Sequence, residues 1–66
     1  MRHLIKGQTY TNNKTDLAFI VHAVRYSSDK YVKVKGTLII KRNNFTVEGP
    51  KNYKLYWNLI ADWYIV

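Results

Sequence analysis

Between positions 31 and 47 the chain reads YVKVKGTLIIKRNNFTV, and it opens on a strict alternation of apolar and polar residues. Val32 and Val34 fall on one side, Tyr31, Lys33 and Lys35 on the other. Successive strand side chains point to opposite faces, so this spacing makes one apolar and one basic face. Asn43-Asn44 supplies two residues that tolerate positive φ, as a two-residue hairpin turn requires. The predicted register sets Arg42 opposite Phe45, Lys41 opposite Thr46, Ile40 opposite Val47 and Ile39 opposite Glu48. Ile40 and Val47 then share a face with Val32 and Val34, so turn chemistry and hydrophobic pattern agree.

Upstream, LAFIVHAVRY at 17–26 is almost continuously apolar, the pattern of a strand buried on both faces for part of its length. Ser27-Ser28-Asp29-Lys30 reads as the next turn. With Ser28-Asp29 at its tip, Ala23 opposes Val34, Val21 opposes Gly36 and Phe19 opposes Leu38. The inner face then collects Phe19, Val21, Ala23, Val32, Val34, Leu38, Ile40, Phe45 and Val47. Ile20, His22, Val24 and Tyr26 lie on the other face, opposite Thr37, Lys35, Lys33 and Tyr31. A one-residue slip would exchange the two faces. Gly36, in the middle of the longest expected strand, marks a bulge or sharp bend, the device by which one strand serves two sheets and a small barrel closes.

The ends are less regular. A short strand is expected on each side of Gly7 within 1–10, and the polar run TNNKTD at 11–16 is expected as a surface loop. Glu48-Gly49-Pro50-Lys51-Asn52 reads as the clearest break in the chain. Beyond it, odd positions from Tyr53 to Ile65 are all apolar, which predicts a strand, yet Tyr56, Leu59, Ile60 and Trp63 also fit a helical stripe. The Tyr, Trp and Ile content favours β. An intermediate arrangement has a strand at 53–57, one tight helical turn at 58–62 and a last strand at 63–66.

Length and composition set the scale. Sixty-six residues predict one domain, whose core alone supplies roughly 3–5 kcal/mol. There is no cysteine, so the six Tyr, two Phe and two Trp stand in for disulfide or thiolate-metal staples. Trp57 and Trp63 are expected to fill the core. On a competing view, Tyr53, Tyr56, Trp57, Trp63 and Tyr64 form an exposed patch for a protein partner. No apolar run reaches the roughly 18 residues of a membrane span, Met1-Arg2-His3 leads into no signal-type core, and disulfides are absent, so a cytoplasmic protein without a membrane partner is expected.

Eleven Lys and Arg against four acidic residues leave a formal +7, which favours polyanionic partners: nucleic acid, anionic lipid heads or an acidic protein surface. Excess lysine also simply keeps an aromatic-rich sheet soluble and its edges unpaired. Catalysis is not expected: the histidines are His3 and His22, and the acids, Asp16, Asp29, Glu48 and Asp62, are accounted for by cross-strand ion pairs and edge charges, Asp16 opposite Lys41 for example. Two histidines with no cysteine or carboxylate cluster give no metal site, the three isolated glycines give no phosphate loop, and no cofactor is expected. The constellation above background is basic residues interleaved with aromatics. Tyr31, Lys33, Lys35, Thr37 and Lys41 share the expected outer face, with Tyr26 beside Tyr31 and Arg42 at the turn. Lysines along a strand track phosphates and exposed tyrosines stack on bases. The candidate nucleic-acid-binding residues are therefore Tyr26, Tyr31, Lys33, Lys35, Lys41 and Arg42, extended by Lys30, Lys51 and Lys54.

Leu4-Ile5-Lys6-Gly7-Gln8-Thr9-Tyr10, then a loop, a buried strand ending at Tyr26, a Ser-Asp turn and a lysine-rich strand, resembles the opening of small SH3-like barrels of the sort found in short bacterial and phage accessory proteins. The likeness covers the first forty residues or so and carries no diagnostic motif. The bias toward Asn, Lys, Ile and Tyr is similar to the product of an AT-rich genome, as many phages have. The resemblance implies a small factor, acting in the host cytoplasm if phage-encoded, that binds nucleic acid or a host protein and inhibits or redirects it. The expected fold is all-β, a small five-stranded SH3-like barrel or a strongly bent antiparallel sheet, with a homodimer through unpaired strand edges as a further expectation.

Overall fold

A computed structural model describes residues 3–66; Met1 and Arg2, the start of the expected N-terminal stretch, lie outside the described residues. It is all-β, with β1 (Thr9–Thr11), β2 (Leu17–Ser27), β3 (Tyr31–Ile40), β4 (Phe45–Tyr56) and β5 (Tyr64–Ile65). The five form one antiparallel sheet in the order β4-β3-β2-β1-β5. The sheet bends strongly but does not close: β4 and β5 are its two edges. Of the two expected forms, the bent open sheet is the one observed.

The core lies on one face of the bend. Val21, Val32 and Val34 are completely enclosed and pack with Leu4, Tyr10, Phe19, Trp57 and Ile60; Leu38, Tyr53, Leu55 and Trp63 close around them. Both tryptophans therefore turn inward, and the buried indole of Trp57 donates from Nε1 to the carbonyl of Ser28 at 2.7 Å, tying the end of β4 to the β2–β3 turn. The alternation read at 53–57 is observed, with Tyr53, Leu55 and Trp57 facing the core. A tight turn at 57–62 follows, held by Leu59 and Ile60 amides donating to the Tyr56 carbonyl, and it delivers β5 alongside β1.

Gly36 sits where the expected bend sits. The ring of Phe19 and the carbonyl of Ile20 pass so close that a Cβ at position 36 would collide with both. The β3–β4 register is irregular on either side of Leu38, and beyond Gly36 both faces of β3 are covered: Leu38 stays against the core with Val32 and Val34, while Thr37 and Ile39 are buried on the opposite face. The extra residues lie on β4, and bulges of this kind increase local twist and curl the sheet.

Several expectations are corrected. The Asn43-Asn44 turn is a four-residue connection over 41–44: only Asn44 takes positive φ (56°), while the Asn43 side chain accepts from the Phe45 amide at 3.0 Å. This Asx-type closure sets Ile40 opposite Phe45 and Ile39 opposite Thr46, not opposite Val47 and Glu48. Phe45 (63% exposed) and Val47 consequently leave the expected inner face for the surface. At the other hairpin the tip is Asp29-Lys30, because Ser28 and Tyr31 close the turn. Two bulges in β2 absorb the resulting offset: Val21–Gly36 and Phe19–Leu38 pair as expected, but Ala23 faces Lys35 and Val24 faces Val34. His22 sits in the first bulge rather than opposite Lys35, and a 2.7 Å hydrogen bond joins its Nε2 to Thr37 Oγ1.

The expected break at 48–52 is the interior of β4. Proline lacks a ladder donor, which an edge strand tolerates, and Gly49 (φ 153°) lies so close to Thr37 that a Cβ would come within 2.7 Å of its Cα. The same residues that end a strand elsewhere here make a bulged edge; the Gly49–Pro50 bond is cis. No strand precedes Gly7 among the described residues; a turn at Lys6-Gly7 carries buried Leu4 under the sheet. Thr11 belongs to β1, not to the loop, and donates its buried hydroxyl to the Leu17 carbonyl at 2.8 Å. Glu48 opposes Leu38 rather than Ile39, and Asp16 reaches Lys41 through its backbone carbonyl, which accepts the Lys41 amide at 2.6 Å.

Candidate nucleic-acid interface

Burying Val32 and Val34 forces Tyr31, Lys33 and Lys35 to the opposite face of β3. Cross-strand pairing then decides their neighbours. Lys33 lies between Tyr26 of β2 and Lys54 of β4, Lys35 faces Asn52, and Tyr31 faces Tyr56. Directly opposed residues share a face, so three strands contribute to one surface. The second β2 bulge, between Val24 and Tyr26, turns Arg25 into the same region. Arg25, Lys33, Lys35, Asn52 and Lys54 rim an open groove of about 650 Å³ whose floor is the chain at Val34 and Tyr53, the side chains of which face the core.

A row of tyrosines borders the groove. The Tyr26 and Tyr31 ring centroids are 5.8 Å apart and those of Tyr31 and Tyr56 5.7 Å, tilted 42° and 56° to each other. The Lys54 ammonium sits 4.5 Å from the centre of the Tyr31 ring and 5.6 Å from that of Tyr56. Such cation–π contacts hold a lysine head at the surface without neutralising its charge.

Asp29 stands in the β2–β3 turn, in a cleft it shares with Tyr56, and the other three acids are ion-paired. Asp16 pairs with Arg42 at 3.1 Å, Asp62 with Lys14 at 3.6 Å, and Glu48 with Lys51. None of these three pairs draws on the groove's four cations. The Glu48 carboxylate, hydrogen-bonded to Lys51, raises the Lys51 pKa above its ordinary value.

Of the six candidate residues, Tyr26, Tyr31, Lys33 and Lys35 are brought together. Lys41 and Arg42 are not: they occupy the β3–β4 turn at the far end of β3, and Arg42 is ion-paired. Thr37, expected on the basic face, is buried. Lys30 sits in the β2–β3 turn beside Trp57, and Lys51 turns to Glu48 and lies 5.2 Å from the Tyr53 ring centre. Arg25, Asn52 and Tyr56 were not legible as members. Their membership depends on a β2 bulge and on β4 continuing through Gly49-Pro50. The even-numbered polar side of 52–56 is the signal that points to Asn52, Lys54 and Tyr56 once β4 is taken as unbroken.

No family model, curated protein or solved structure matches the chain. Among the described residues, no helix is long and apolar enough to cross a membrane.

Proposed function

We propose that this protein is a non-catalytic nucleic-acid-binding module that engages phosphates along the β2–β3–β4 groove. The observation that carries the reading is the convergence of Arg25, Lys33, Lys35 and Lys54 on one open concavity beside three tyrosines, away from the ion pairs of Asp16, Glu48 and Asp62. Like charges placed side by side, as Lys33 and Lys54 are, cost stability in the free protein. A polyanion relieves that repulsion and releases its own counterions. The strand order, with β5 returned beside β1 after a single turn, supports reading the open sheet as SH3-like. The test is titration of labelled single-stranded and duplex oligonucleotides into the protein at low salt, where phosphate contacts are strongest. Absence of binding there removes this reading.

A second reading has its own support. Phe45 and Val47 expose apolar surface on the edge strand β4, next to the basic 41–44 turn. That combination suits an acidic protein surface with an apolar centre, as for a small inhibitor or adaptor of phage type. Stoichiometric capture of one partner that is lost in Phe45→Ser supports it; retention of that partner by Phe45→Ser counts against it.

A further inference from the structure

The groove accounts for phosphates; the tyrosine row beside it is left over. We propose, resting on the nucleic-acid reading above, that the ligand of this face is an unpaired strand whose successive bases stack on Tyr26, Tyr31 and Tyr56, with Lys54 as the group that moves aside to admit them. Three observations point there.

The first is spacing. Ring centres 5.7 and 5.8 Å apart exceed the about 3.4 Å rise per nucleotide along a duplex strand. Bases seated on neighbouring rings must be drawn apart, which a paired duplex does not allow without unstacking. The second is tilt. Interplanar angles of 42° and 56° present successive bases with different planes, and only a backbone free of a complementary strand turns enough to follow them. The third is accessibility. Tyr26 is 51% exposed and Tyr56 40% exposed, each beside Tyr31 on the basic face. Aromatic rings in such positions are stacking platforms tolerant of sequence, since every base has a π-face.

Lys54 couples the two halves of the site. Its ammonium occupies the space over Tyr31 and leans toward Tyr56, the positions that bases would take. Lys33 stands directly across from it. A phosphate arriving between Lys33 and Lys54 offers the ammonium a full negative charge in place of a ring quadrupole, and so draws it off the ring. Phosphate capture thereby opens the stacking surface.

The experiment compares three ligands of one length, roughly 12 nucleotides: a labelled single strand, its duplex, and an abasic strand with the same phosphates. Wild-type protein is expected to bind the single strand at least about ten-fold tighter than the abasic strand, the effect of one or more stacked bases. Tyr31→Leu should bring the single strand down to the level of the abasic strand measured on the same variant. Tyr26→Leu, at a more exposed position, should do the same to a smaller degree, and serves if Tyr31→Leu melts early. Equal affinity for all three ligands, or single-strand affinity untouched by both tyrosine substitutions, overturns the stacking proposal and leaves the phosphate reading standing. Failure of every ligand to bind overturns both.

Discussion

Replacing Lys33 and Lys35 together by glutamine tests the groove in numbers. Four cations, Arg25, Lys33, Lys35 and Lys54, rim it. If each neutralises one phosphate of a single strand, log K should fall with log salt at a slope of about −2.8, so that raising salt from about 50 to about 200 mM weakens binding roughly 50-fold. Removing two of the four halves the slope to about −1.4, and the same change in salt then costs only about seven-fold. Lys14→Gln is the control, because Lys14 is ion-paired to Asp62 on another part of the molecule. Fluorescence anisotropy at four or more salt concentrations, on proteins with matched thermal melts, gives the slopes directly. The groove reading is refuted if the double variant keeps the wild-type slope, or if Lys14→Gln lowers it as much.

Four further outcomes follow from the fold. Gly36→Ala forces a methyl group against the Phe19 ring and the Ile20 carbonyl and should cost about 1–3 kcal/mol in urea unfolding, an overpacking penalty; an unchanged midpoint would mean the bend does not depend on that approach. Trp57→Ala should unfold the domain outright at room temperature by circular dichroism, since truncating a buried aromatic costs about 3–5 kcal/mol, as much as a core this small supplies. Tyr53→Phe should be neutral or stabilising by up to about 1–3 kcal/mol, because the Tyr53 hydroxyl is buried without a hydrogen-bond partner among the described residues; a loss of stability would reveal a partner. Glu48→Gln should lower the Lys51 pKa, read by NMR titration. Because pairing raises the folded-state pKa of Lys51, whatever the contact contributes is fully present at neutral pH and lost only in strongly alkaline solution.

Local pattern sufficed wherever one residue's environment depended on its immediate neighbours. Alternation at 31–35 and at 53–57 set which side chains face inward, and Trp57 entered the core on that basis; past the turn the same odd-position pattern fails, with Leu59 and Ile65 exposed and Trp63 half-buried. The hairpin between β2 and β3, the bend at Gly36 and the all-β class were legible for the same reason. So were four of the six candidate site residues, Tyr26, Tyr31, Lys33 and Lys35, as neighbours on one surface. Registers were not, because one bulge or one extra turn residue moves every later pair, and bulges are settled by packing rather than by composition. The side chain of Asn43 lengthened one turn, and two bulges in β2 compensated a shift in the other.

Tertiary structure alone decided that Gly49-Pro50 lies within a strand. An edge position tolerates a missing donor, and the approach to Thr37 favours a residue without a Cβ, but neither condition is visible until β4 has a neighbour on one side only. That one decision carried Asn52, Lys54 and Tyr56 onto the face of Lys35, Lys33 and Tyr31, and the length of β3 left Lys41 and Arg42 at the far end. The charge and the aromatic wealth were written in the chain; their convergence on one groove is a property of pairing between strands distant in sequence, which local patterns do not encode.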